Sequence, residues 1–255
     1  MNNKPLITII TPTFNSEATI LNNLKSICDQ KFENWEHIII DNQSSDKTID
    51  IVKKNDCHKT KIISGKDDGI YDAINKGIKV SNGDIVSILH SDDFYNDKNT
   101  LSSVVSYFLK YQVDIVFGDL IYVKKSNVED ILRYWKSSDF QTGQFLKGWS
   151  PPHPSFFVKS KIYSEHGLYK NNLGNPADIE LMYRFLEKKK IKSKYLNKIL
   201  VVMRYGGASN KNFKNILKQN LTILSILGIK HNYPKIIYFF VFKIINRIKQ
   251  LLKNT

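Results

Sequence analysis

Apolar residues in the first hundred positions follow two rhythms. Short runs rich in β-branched residues, Leu6–Ile10, Trp35–Ile40, Lys61–Ser64 and Ile85–Leu89, predict strands, the first of them buried on both faces. Between them apolar positions recur at helical spacing. Ile20, Leu21, Leu24, Ile27 and Cys28 form one such face behind a cap at Asn15 or Ser16, a second helix starts at about Lys47, and Ile70, Ile74 and Ile78 mark a third. Strand and helix in alternation predict a mainly parallel sheet with helices on both faces. Ligands of such sheets bind beyond the carboxyl ends of the strands, where this chain supplies Thr11, Asp41, Asp67, Asp68, Asp92 and Asp93.

The second half is less regular. A helix is expected after Asp97 to about Tyr111, then a strand in DIVFGDLIYV split by Gly118. From Val128 to Tyr169 no helical period holds, and WSPPHPSFFV carries three of the seven prolines. Residues 178–190 return to a helix with Ile179, Met182, Tyr183 and Leu186 on one side. No repeat and no low-complexity linker interrupts the chain, and 255 residues with 42% hydrophobic content suffice for one large α/β domain.

Charge changes this picture only at the end. The net charge of +14 invites a nucleic-acid reading, yet from Lys188 onward there are 16 Lys or Arg and no acidic residue, leaving 22 basic against all 24 acidic residues before it. Only four of the 38 basic residues are arginine, the side chain best suited to base and phosphate forks, so nucleic acid is not an expected partner. YPKIIYFFVFKIINRIKQLLKN, residues 233–254, has no apolar run near the ~20 residues of a membrane span. Its cations at Lys235, Lys243, Arg247 and Lys249, interleaved with aromatics and isoleucines, suit a helix lying on an anionic membrane surface. The alternative is a terminal helix packed on the domain with a solvated lysine face. Cys28 and Cys57 make no disulfide framework and no metal-finger spacing, and the start, MNNKPLITII, lacks a signal-peptide stretch; both point to the cytosol.

The candidate chemistry sits in DIVSILHSDDFY. Two adjacent carboxylates at a strand end repel each other unless a cation offsets them, and Mg²⁺ or Mn²⁺ takes one or two carboxylates together with phosphate oxygens. Neither a dinucleotide glycine fingerprint nor a GxxxxGK[ST] phosphate loop is present.

ITIITPTFN, HIIIDNQSSDKT and DDGIYDAINKGIKVSNGDIVSILHSDD, in that order, resemble family 2 glycosyltransferases of the bacterial O-antigen and surface-polysaccharide type. The resemblance continues more loosely through PPHPSFFV, NPADIELMYRF and YGGASN to about residue 210. It implies the GT-A fold, a nucleotide-diphospho-sugar transferase fold with a Rossmann-like sheet. Residues 1–215 would then form the catalytic domain, with a nucleotide-binding half to about 120 and an acceptor half beyond, and 216–255 a basic helical appendage.

The implied activity is inverting transfer of a hexose or N-acetylhexosamine from a UDP-sugar to a lipid-linked (polyprenyl diphosphate) saccharide, at the inner face of a bacterial plasma membrane. By the same resemblance Thr11 and Pro12 lie against the base, Asp41 with Asn42 contacts uracil or ribose, and Asp67 joins that pocket. Asp92 and Asp93 match the DxD-type motif, with Asp93 reaching Mn²⁺ or Mg²⁺ and Asp92 facing ribose, donor sugar or metal. Asp178 matches the general base, with Glu180 as its runner-up one turn of register away. His153 matches a histidine near the diphosphate, metal or acceptor, and Gly206, Gly207 and Ser209 a loop near the site. Asp72 and Asn75 are candidates to face the cleft from the Ile70–Ile78 helix. His90 departs from the family's usual asparagine, and Gly65 from its usual acid. Two competing readings are a sugar nucleotidyltransferase, which usually shows a glycine-rich, arginine-bearing loop absent from TPTFNSEAT, and a non-catalytic membrane-associated carbohydrate-binding or scaffold protein.

Overall fold

The computed structural model describes residues 4–206 and 213–252. The elements expected in the first hundred residues form close to where the pattern placed them: β1 (Ile7–Thr13), α1 (Ile20–Cys28), β2 (Trp35–Asp41), α2 (Thr48–Asn55), β3 (Thr60–Ser64), α3 (Ile70–Lys79) and β4 (Ile85–Ile88). The first helix starts later than its expected cap. Asn15 sits at φ +46° and Ser16 begins a turn that reaches α1 through Thr19, because both side chains are taken by the neighbouring loop and by Ser91.

The chain goes on through β5 (Phe94–Tyr95), α4 (Thr100–Tyr111), β6 (Ile115–Val123), β7 (Ile131–Trp135), β8 (Phe156–Lys159), α5 (Ser160–His166), α6 (Ala177–Tyr183) and β9 (Ser193–Arg204), and closes with α7 (Phe213–Ile226) and α8 (Tyr233–Leu252). Helix α6 continues as a wider π turn over Arg184–Lys188. One sheet runs β3-β2-β1-β4-β8-β6-β9-β5, with β7 pairing along Leu120–Val123 of β6, beyond the stretch that β8 covers. Its first four strands are parallel, as expected of alternating strand and helix. Beyond β4 the sheet is mixed: β8 lies antiparallel to β4 and β6, and β9 runs parallel to β6.

Gly118 does not split its strand. Strand β6 passes through it unbroken, and the missing side chain serves close approach by β9 instead, since a Cβ there would lie 2.6 Å from Leu200 and 2.8 Å from the Lys198 carbonyl. The register of the β6–β9 pair shifts at that point.

Burial alternates along the strands, so each face of the sheet has its own core. Ile10, Ile115, Phe117, Phe156 and Val158 face α3, α6 and the C-terminal helices, whereas Ile7, Ile9, Val116 and Phe157 face α4. At about 25 cal/mol per Å² such fully buried side chains each contribute about 1.5–3 kcal/mol.

Two expectations need correction. Cys28 and Cys57 are bonded to each other, their Cα atoms 5.9 Å apart, because the end of α1 and the segment after α2 meet beside the sheet. The cysteine argument for a reducing compartment therefore falls. Lys243 is not a headgroup-facing lysine: it is half-buried, lies against Gly148 and donates to Asn220 Oδ1 at 2.8 Å. Phe239 (3% exposed), Asn246 and Gln250 dock the same side of α8, through Asn246 to the Lys147 carbonyl and Gln250 to Arg133. The opposite side leaves Tyr233, Ile237, Val241, Ile244, Ile248 and Leu251 exposed, a single stripe at helical spacing.

Candidate active site

The parallel strands end along one rim. Asp41, the last residue of β2 and nearly fully buried, accepts from Ser44 Oγ at 2.6 Å and from Ser64 Oγ, at the end of β3, at 2.7 Å. Asn42 beside it accepts the Asp67 N–H at 2.9 Å, joining the second loop to the third. Asp67 in turn accepts from the N–H of Gly69, whose φ of +108° makes the sharp entry into α3, and burial raises its carboxyl above the usual range. Asp41, Asn42 and Asp67 thus form one connected stretch of the rim.

Thr11 is not at this rim. Strand β1 runs on to Thr13, and the Thr11 hydroxyl is fully buried 2.9 Å from His37 Nε2, leaving buried Pro12 nearer the edge. Burial holds His37 neutral, pushed down to about 3. Asp72 turns to the solvent side of α3, where it pairs with Lys76 at 2.8 Å and is held below its usual range by that bond.

The SDD segment forms a tight turn after β4, closed by the Asp93 N–H on the His90 carbonyl at 2.9 Å. Asn23 of α1 braces it by donating to the carbonyls of His90 and Asp93. Arg204, at the end of β9, donates to the Asp92 carbonyl at 2.5 Å and stacks on Phe94. The turn drives Asp93 inward: the residue is fully buried and neither carboxylate oxygen has a partner. Its carboxyl is raised well above the usual range, first by burial, then by the charge of Asp92, with Arg204 offsetting part.

An unpaired carboxylate in such a place is costly unless a cation meets it. The residues fit a divalent ion on that ground. Among the described residues no three His, Cys, Asp or Glu side chains converge on one point, so Asp93 and Asp92 would need phosphate and water oxygens to complete a shell.

Asp178 lies in the first turn of α6 and is partly buried, its Oδ1 accepting the Ile179 N–H at 2.6 Å. Burial pushes its carboxyl up to about 7, against the pull of the helix N–H groups. Glu180 faces the other way. Its carboxylate is taken by Lys170 at 2.7 Å and Arg184 at 3.0 Å, beside a separate concavity of about 540 Å³ that Asp178 does not line.

His153 connects the two regions. Its ring lies 5.9 Å from that of His90, its Nε2 is 2.7 Å from Tyr169 Oη, and burial pushes it down to about 3, so it is neutral. Gly206 is exposed at φ +106°, while Gly207 and Ser209 fall outside the described residues. Sequence reasoning missed Arg204 and Asn23. The first had one available signal, an arginine set directly before YGGAS in a tail otherwise dominated by lysine; Asn23 had none.

Comparisons with known proteins address the family and the fold. The glycosyl transferase family 2 profile matches residues 8–160. A PGL/p-HBAD biosynthesis glycosyltransferase of Mycobacterium bovis is 25% identical over 244 residues, covering 91% of this chain and 93% of its own. The Escherichia coli UDP-Glc:alpha-D-GlcNAc-diphosphoundecaprenol beta-1,3-glucosyltransferase WfgD is 28% identical over 124 residues, 48% of this chain and 49% of its own. Among solved structures, S. aureus TarS 1–349 in complex with UDP-GlcNAc superposes with a TM-score of 0.67 at 18% identity, over 92% of this chain and 71% of that one. The mannosyltransferase PcManGT of Pyrobaculum calidifontis, in complex with GDP-Man and Mn²⁺, does so with a TM-score of 0.61 at 15% identity, over all of this chain and 77% of its own. With the GT-A fold shared by these structures and a profile match over more than half its length, the chain belongs to glycosyl transferase family 2.

Proposed function

We propose that the chain is an inverting, metal-dependent transferase that moves a hexose or N-acetylhexosamine from a UDP-sugar to a lipid-linked saccharide. The observation that carries this reading is Asp93, buried beside Asp92 with both oxygens unpartnered. Mn²⁺ or Mg²⁺ bound there would offset the negative charge that grows on a departing diphosphate. Asp41, Asn42 and Asp67 hold the nucleoside on the stretch of rim they share. Asp178, partly buried at the start of α6, takes the proton of the acceptor hydroxyl as that oxygen bonds to the anomeric carbon. The bond from this carbon to the diphosphate breaks on the opposite face, releasing UDP and inverting the centre. Glu180, committed to two cations, is the weaker choice for that role.

UDP-sugar use is favoured by the printed donor of WfgD, and the lipid-linked acceptor by the printed acceptor of the same protein. The outward stripe of α8, flanked by Arg247 and Lys249, supports peripheral attachment to an anionic inner membrane surface; no described helix is long and apolar enough to cross a membrane.

The test is a panel of UDP-, GDP- and dTDP-sugars, with and without Mn²⁺, and a synthetic sugar-diphosphate-lipid acceptor. Metal-dependent release of UDP with transfer from one donor is expected. Pyrophosphate release from UTP and a sugar phosphate would instead show a nucleotidyltransferase, and no turnover by folded protein would favour a non-catalytic scaffold.

A further inference from the structure

Helix α3 belongs to the nucleotide side, starting three residues after Asp67, yet two of its side chains grip the segment that leads into α6. Asn75, only 7% exposed, donates from Nδ2 to the Tyr169 carbonyl at 2.8 Å and accepts the Tyr169 N–H at Oδ1 at 3.0 Å. One carboxamide thus uses both ends on the backbone of a single residue. A turn earlier, Tyr71 donates from Oη to the Asn175 carbonyl at 2.9 Å, three residues before Asp178, and its ring stacks on Tyr169 with centroids 5.4 Å apart. The Tyr71 hydroxyl feels both the carboxylate and the backbone N–H of Asp178.

The segment has other anchors at its start: Arg184 holds the carbonyls of His166, Gly167 and Leu168, His153 meets the Tyr169 hydroxyl, and Lys170 pairs with Glu180. Asn171, Asn172, Gly174 and Asn175 are exposed, and across this stretch Tyr71 is the side chain from the nucleotide side that reaches its end, at Asn175. The bridge from α3 thus ties the approach to the α6 N-terminus directly to the nucleotide side.

We propose that Tyr71 and Asn75 are positioning residues for Asp178, registering it from the nucleotide half so that donor and acceptor hydroxyl meet at the right separation. This rests on the reading of Asp178 as the base. A proton acceptor displaced by about 1 Å can lose about 100-fold in rate without touching substrate binding. The inference also accounts for why a tyrosine and an asparagine, one turn apart, occupy a helix otherwise packed by Ile74, Ile78 and Ala73.

The experiment compares Tyr71→Phe, which keeps the ring stack, and Asn75→Ala with the unaltered chain and with Asp178→Asn. Steady-state transfer is measured with UDP-glucose or UDP-N-acetylglucosamine, whichever is turned over, and binding with UDP plus Mn²⁺. Tyr71→Phe should lower kcat for transfer by about tenfold or more, leave the Kd for UDP within about twofold, and shift the acidic limb of the pH profile. In the Asp178→Asn background it should add no further loss, because both changes remove one function. Equal fractional losses in the two backgrounds, or an unchanged kcat, would overturn the bridge while leaving the base reading intact. Full transfer by Asp178→Asn alone would overturn the base reading and this inference together. Should Asn75→Ala fail to fold, Tyr71→Phe decides the matter.

Discussion

Asp93 and Asp178 are two carboxylates kept in costly surroundings for different reasons. Asp93 is buried without a hydrogen-bond partner, so at pH values above its raised range Asp93→Asn should stabilise the metal-free protein by about 1–3 kcal/mol, at about 2–4 °C in Tm per kcal/mol, and the gain should shrink as pH falls and the carboxyl takes up its proton. The same change should cut transfer by about 100-fold or more. A drop in Tm would contradict the account of an uncompensated charge.

Asp178 makes a separate prediction about pH. Raised to about 7 by burial, with Tyr71, Tyr122 and Tyr169 also within range of its charge, it accepts a proton only when ionised. The rate kcat/KM for transfer should climb with pH and level off above about 7, not near the ~4 of a free carboxylate. Stability carries the opposite sign. The folded chain holds this proton more tightly than the unfolded one, so Asp178 makes stability fall as pH rises from about 4 towards 7; Asp178→Asn should remove that share of the slope and leave the part that comes from the other raised carboxyls, Asp93 and Asp67.

Individual elements differ in how far the sequence betrays them. Strands β1 to β4 were legible because each is a short β-branched run between helical periods, and Asp41 and Asp93 follow directly from where those runs stop. Strand β5 is two residues long, and β9 alternates irregularly between half-buried and buried positions as it crosses from the sheet interior to pair with β5, so neither has a readable period. The Cys28–Cys57 pair was hidden because it depends on where two separate elements come to rest. Helix α6 shows the limit for the site. The resemblance puts the base at Asp178 with Glu180 as runner-up, and the packing of Arg184 and Lys170 onto Glu180 separates the two. Glu180→Gln should therefore cost about 2 kcal/mol of stability while reducing transfer far less than Asp178→Asn. Comparable kinetic losses in the two variants would reverse the assignment.

For the whole molecule, the cleft and the C-terminal helices belong to one body, since Leu224, Leu227, Ile229 and Phe239 join the same core as α3 and α6. An apolar stripe facing outward from α8 would then hold the cleft at a fixed height above a lipid surface. Replacing Ile237, Ile244 and Ile248 together by serine should release the protein from anionic vesicles without changing turnover of a soluble acceptor; unchanged vesicle binding would remove the attachment from the account. The most direct test of the central claim is a titration of Mn²⁺, followed by electron paramagnetic resonance, with and without UDP. One ion per chain should be taken up when UDP is present, little without it, and none by Asp93→Asn in either condition. Uptake that is indifferent to Asp93, or no uptake with UDP bound, would contradict the reading of this aspartate and with it the mechanism.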